Sequence, residues 1–203
     1  MTLLLFRMII NNIADMKRNS FITTVSVFFL APIVYGFQNM AKTGRSDKGF
    51  RIPASEGRLH GHIKLKGVNS NIIDLKVSGK DTGGELSIFE QTSISVGRGT
   101  PLHVHYLQDE IFYVIDGKYF FQVGDEKVWL TAGDSIFLPR KVPHAWTQVS
   151  EKGEMTVTFH PAGKMEEFFL TMSNLNDNAG PEEIARIFTE NEMQIVGPPL
   201  KVT

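Results

Sequence analysis

From about Ile63 onward the chain is a series of short segments rich in Val, Ile, Phe and Thr, cut at intervals by glycine turns. Val77-Ser78-Gly79-Lys80, Asp116-Gly117, Gly124-Asp125 and Ala132-Gly133-Asp134 are such turns. Short strands at even spacing predict an all-β sandwich or barrel, and no strand-helix alternation supports a parallel sheet. The pattern changes only after Pro161. Lys164 to Leu170 and Pro181 to Phe188 have helical spacing, the second with proline near its start, so two C-terminal helices are expected to cover part of the barrel.

With 203 residues the chain holds one domain with a substantial core, plus appendages. We divide it into an N-terminal segment (1–41), a linker or arm (42–60), the barrel (61–162) and a C-terminal helical extension (163–203). In the first segment Lys17-Arg18-Asn19-Ser20 precedes an uncharged, mostly apolar run from Phe21 to Tyr35, followed by the small residue Gly36. A basic front and an apolar middle too short for a comfortable membrane span have the layout of a secretory signal, with Met16 as an alternative start. Export to the periplasm or exterior is therefore expected; the alternatives are a membrane anchor through this segment and a cytoplasmic protein. Lys42 to Gly49 is polar and glycine-containing, as mobile linkers are.

A net charge of −1 and the absence of any Lys/Arg-rich run leave no electrostatic footprint for nucleic acid. With no cysteine, disulfides, thiolate ligands and a cysteine nucleophile are excluded.

The chemistry is concentrated in four residues. Side chains two apart on a strand share a face, so His103 and His105 can offer imidazole nitrogens together. Glu110 follows a turn-like Tyr106-Leu107-Gln108-Asp109 and opens the next strand, Ile111 to Ile115, while His144 comes from a third. Three imidazoles and one carboxylate suit one divalent first-row metal: iron, manganese, nickel, cobalt, copper or zinc. Four ligands leave open positions for substrate, water or dioxygen. His60 and His62 are also two apart, but Gly67 stands where a glutamate would be needed, and His160 beside Pro161 reads as a packing or hydrogen-bonding residue. Alternation places Phe112 on the face of Glu110, and Trp146 and Gln148 on the face of His144, while Lys118 and Gln122 turn outward and so aim Tyr119 and Phe121 inward. These five, Phe112, Tyr119, Phe121, Trp146 and Gln148, are the candidate substrate-binding wall, an aromatic one suited to a planar or apolar organic molecule.

The two runs Gly97, His103, His105, Glu110, Gly117 and Gly133, Pro139, His144 resemble the two sequence motifs of the cupin superfamily at nearly every defining position. Lys141 stands where that family usually has glycine, and Gln148 where it usually has asparagine. Pro161-Ala162-Gly163, Glu166-Glu167-Phe168-Phe169 and Gly197-Pro198-Pro199 resemble segments of single-domain quercetin-dioxygenase-like members. The resemblance spans about residues 60 to 200. It implies a double-stranded β-helix, or jelly-roll barrel, a metal on His103, His105, Glu110 and His144, a homodimer, and a dioxygenase with a small-molecule substrate. Glu110 would also serve as the general base, being a carboxylate beside the bound hydroxyl. An isomerase or epimerase of a sugar or keto acid, using the metal as Lewis acid, and a non-catalytic small-molecule-binding protein are the alternatives.

Overall fold

The computed structural model describes residues 44–176 and 178–202. The signal-like segment 1–41, on which the export expectation rests, lies outside the described residues. Among the described residues no helix is long and apolar enough to cross a membrane.

Among the described residues eleven strands form two antiparallel sheets, as the spacing of apolar runs and turns leads one to expect. β1 (His62–Lys64), β2 (Ile72–Val77), β3 (Ser87–Ser93), β5 (Asp109–Asp116), β8 (Ser135–Leu138) and β10 (Gly153–His160) make one, in the order β1-β2-β3-β10-β5-β8. β4 (Pro101–His105), β6 (Lys118–Val123), β7 (Glu126–Thr131), β9 (His144–Gln148) and β11 (Met193–Pro199) make the other, ordered β11-β4-β9-β6-β7. Inserting β10 between β3 and β5, and β9 between β4 and β6, is the long-range crossing of a jelly roll.

Period-two alternation decides what faces inward. On β5, Glu110, Phe112 and Val114 are buried while Ile111, Tyr113 and Ile115 are exposed; on β10, Met155, Val157 and Phe159 are buried. The inward aromatics meet edge to face, as in the Phe89–Phe159 and Phe112–Phe121 pairs at 5.9 and 5.3 Å. Burying each ring contributes roughly 1.5–3 kcal/mol. β9 departs from alternation, all five residues being buried, because Phe120, Leu102 and Leu200 cover its outer side at Ala145.

Left-handed backbone is needed at both motif ends. Gly117 has φ 89°, and a Cβ there would stand 2.7 Å from the Lys152 carbonyl oxygen, so the β5–β6 turn excludes any side chain. Lys141 has φ 67° and donates its N–H to the His105 carbonyl at 2.7 Å. This conformation explains why a glycine would be at home at position 141, and it costs a lysine about 1–2 kcal/mol.

Beyond the barrel, α1 (Met165–Ser173) buries Met165, Phe168, Phe169 and Met172, a stripe at helical spacing. α2 (Pro181–Glu190) starts on its proline and buries Ile187 and Phe188. Past the two expected helices the extension ends in a strand, β11, which pairs with β4 so that Met193 lies opposite His105 and Ile195 opposite His103. Residues 44–60 lie against the barrel: Ser46 N–H donates to the Asp81 carbonyl (2.8 Å), Arg58 pairs with Asp81, and its guanidinium sits 3.9 Å from the Phe50 ring centre.

Candidate metal centre

β4 carries His103 and His105 on its inward face, the turn after it delivers Glu110 at the start of β5, and His144 opens β9 directly opposite His103. One potential ligand atom from each of the four lies within 4.8 Å of the others. Glu110 Oε1 is 3.3 Å from His105 Nε2, and Oε2 is 3.1 Å from His144 Nε2. All four side chains are buried.

Their hydrogen bonds fix the rings for metal binding. His103 Nδ1 lies 2.8 Å from the Pro101 carbonyl and His144 Nδ1 3.0 Å from the Val142 carbonyl. A carbonyl can only accept, so both Nδ1 atoms carry the proton and both Nε2 atoms keep a lone pair. Burial, reinforced by His144 and His105, holds the pKa of His103 well below its ordinary value; burial lowers that of His105 as well. Desolvation alone would raise the Glu110 carboxyl, but His105, His144 and His103 together hold it down to about 2. The cluster thus sets a buried carboxylate beside two imidazoles, His103 and His105, that burial disfavours as cations, a negative charge that a metal cation would satisfy. Nε2 of His105 and of His144 have no hydrogen-bond partner, and an orphaned pair of buried acceptors is what a metal ion satisfies. The donor set therefore fits a divalent metal of the first transition row.

A cavity of about 60 Å³ opens on three of these residues, His103, His105 and Glu110. Phe112 and Trp146 line it, as the alternation predicts. Tyr119, Phe121 and Gln148, also expected there, do not. Tyr119 donates to Ser93 Oγ at 2.9 Å, and its phenol is pushed up to about 12 by burial. Phe121 stacks behind Phe112 and Trp146. Gln148 is a fully buried brace: its Oε1 accepts from Ser95 N–H at 2.8 Å, and its amide nitrogen sits within 3.1 Å of the Ser93, Ser150 and Glu151 carbonyls. Alternation put these three on the inward face correctly, but a small barrel's interior is mostly packed side chains, so an inward residue need not reach the cavity. The wall that sequence reasoning missed comes from outside the barrel motifs: Phe168, Phe169 and Met172 of α1, Phe188 of α2 and Met193 of β11. The helical apolar stripe 165-168-169-172 was the available signal. The three other histidines stay apart, His60 on Glu166 (2.7 Å), His62 on Asp74 (2.8 Å) and His160 on the Glu85 carbonyl (2.7 Å).

Two facing antiparallel sheets around a buried three-histidine, one-glutamate cluster define a jelly-roll protein with a metal-type site. The family model of the cupin domain matches residues 91–161, and this chain carries a cupin domain. Among curated relatives, quercetin 2,3-dioxygenase of Bacillus subtilis is 28% identical over 123 residues, covering 60% of this chain and 35% of that protein. An uncharacterized protein of Methanocaldococcus jannaschii is 39% identical over 51 residues, covering 25% of this chain and 41% of that one. The chain thus spans less than half the length of these two relatives. A solved RmlC-like cupin from Shewanella frigidimarina aligns with TM-score 0.46 and 21% identity, over 59% of this chain and 96% of that one.

The site's ionisation makes a pH prediction. Folded His103 and His105 hold a proton less tightly than in the unfolded chain, so below their ordinary pKa of 6.5 the unfolded state binds more protons and stability falls as pH falls. Glu110 has the same sign: its contribution is full above 4.5 and is lost as pH drops toward about 2. The unfolding free energy of chelator-treated protein should therefore decline from pH 7.5 to 5.5, by up to about 1.4 kcal/mol per pH unit for each histidine, and the thermal midpoint should fall with it. Calorimetry showing the same slope after His103→Asn would contradict this assignment.

Proposed function

We propose that this chain is a mononuclear metal-dependent dioxygenase acting on a small enolic molecule. The observation that carries the proposal is a buried cluster of three imidazoles and one carboxylate, of which His103, His105 and Glu110 line a cavity whose other walls are mostly aromatic and methionine side chains. His103, His105, Glu110 and His144 would hold the metal, which when bound supplies Lewis acidity and open positions for small oxygen ligands. The imidazoles, pinned by the Pro101 and Val142 carbonyls, keep the ligand atoms aimed at one point. Glu110, ionised at neutral pH, is the group placed to take the proton of an enol or hydroxyl entering the cavity. Phe112, Trp146, Phe159 and Phe168 exclude water and favour the apolar part of the substrate. The similarity to quercetin 2,3-dioxygenase supports an oxygenase, and the apolar wall weighs against a sugar isomerase.

Oxygen uptake by the metal-loaded chain, tested across β-diketones, catechols and flavonols, decides the matter. Consumption dependent on a small β-diketone and abolished by chelation is the expected result, since the rings of catechols and flavonols exceed the unmodified cavity of about 60 Å³. Metal-loaded protein that consumes none with any class, yet isomerises a keto acid or sugar, would defeat the proposal.

A further inference from the structure

A metal-bound histidine ordinarily donates its second ring N–H to a nearby acceptor, which fixes both tautomer and orientation. His103 and His144 have such acceptors in backbone carbonyls. His105 has none: its Nδ1 is fully buried and without a partner. The side chain of Gln108 lies beside it and acts on it through its hydrogen-bonding end, yet Gln108 Oε1 is also buried without a partner. A dry donor and a dry acceptor side by side each cost about 1–3 kcal/mol if left unmade.

The orientation of the Gln108 amide is set from behind. Its Nε2 donates to Glu192 Oε2 at 2.6 Å. A carboxylate offers only acceptors, so the amide NH2 must face Glu192, and Oε1 is the atom left for His105. Glu192 is held in turn by its position just before β11, in a left-handed conformation (φ 68°), with its carbonyl accepting from Tyr106 N–H at 3.2 Å. Gly163 completes the arrangement. A Cβ there would stand 2.0 Å from Gln108 Nε2, so only glycine leaves room for the amide.

We infer that Gln108 is the positioning residue of His105, its Oε1 accepting from His105 Nδ1–H and its amide held by Glu192, so that the turn between α2 and β11 orients one ligand of the metal centre. The inference rests on the metal reading above. It goes beyond it by assigning a role to three residues, Gln108, Gly163 and Glu192, that touch neither metal nor substrate.

The test is a Co2+ titration of the chelator-treated full chain against a competing chelator, with the visible cobalt spectrum reporting ligand geometry. Gln108→Leu should weaken Co2+ binding by roughly 10- to 100-fold, the usual loss when an outer partner of a ligand is removed. Gln108→Glu should also weaken it, through repulsion from Glu192. Gln108→Glu combined with Glu192→Gln rebuilds the pair in reverse, with residue 108 accepting from both neighbours, and should restore binding to within a few-fold of the original. A purely structural role would not produce that rescue. A Gln108→Leu protein that binds Co2+ like the wild type, or a folded double variant no better than Gln108→Leu, overturns the inference. Should Gln108→Leu fail to fold, the wild type decides by proton NMR: a slowly exchanging His105 Nδ1–H supports the bond, and a rapidly exchanging one overturns it. Wild-type protein that takes up no Co2+ at all overturns the metal reading, and this role with it.

Discussion

Glu110→Ala is expected to strip the metal from the protein while leaving the barrel folded. Its carboxylate reaches toward His105 Nε2 with one oxygen and His144 Nε2 with the other, at 3.3 and 3.1 Å, and supplies the cluster's negative charge at neutral pH. Removing it leaves three imidazoles and no carboxylate. Affinity should fall by more than the roughly 10- to 100-fold that loss of a mere outer partner costs. The metal-free variant should still melt cooperatively, so that loss of the metal is not loss of the fold. The wild type, by contrast, should gain about 2.7 kcal/mol at a metal concentration of 100 times Kd, or roughly 5–11 °C for a chain of this size. Elemental mass spectrometry and paired melts with and without metal check both halves. Full occupancy in Glu110→Ala would move the site elsewhere.

The four ligands were legible in the sequence because strand periodicity converts a two-residue spacing into one face, and the glycine-bounded turns bring the next strand back at once. His60 and His62 have the same spacing without the partner, and the structure seats them on Glu166 and Asp74. What stayed hidden depends on long-range contact. β11 contains Gly197-Pro198-Pro199, residues that argue against a strand, yet it forms as the edge partner of β4, where prolines cost least. Inward direction was correctly inferred for Tyr119 and Phe121, but alternation along a strand cannot say how deep along the barrel axis a side chain lies. That depth separates the packed layer from the cavity wall. Gln148 shares the inward face of β9 with His144 and Trp146, but its side chain is spent on the backbone of residues 93, 95, 150 and 151. Gln108 fell in a stretch that read as a turn, and no local pattern links it to a glutamate 84 residues away.

Phe188→Ala is expected to turn a cavity that is too small for a ring into one that accepts it. About 60 Å³ is well under the roughly 150 Å³ of an apolar cavity known to hold benzene. The space above the ligands is limited by the α1 and α2 side chains. Phe188 meets His103 edge-on at 5.5 Å and Phe168 at 5.0 Å, and is only 2% exposed. Truncating it removes a ring from directly beside a ligand. The transfer and cavity losses together should cost about 3–5 kcal/mol, a fall of roughly 6–20 °C in the thermal midpoint. Benzene should then raise the melting temperature of Phe188→Ala and leave the wild type unmoved, since only a state that binds the ligand gains from it. No metal is needed for this measurement, so it isolates the apolar wall from the ligand set. Equal benzene shifts in both proteins would mean that the wall yields freely and ring-sized substrates enter without it being cut back. A stabilised variant with no shift at all would mean that α1 collapses into the space, and that Phe168 rather than Phe188 sets the size limit.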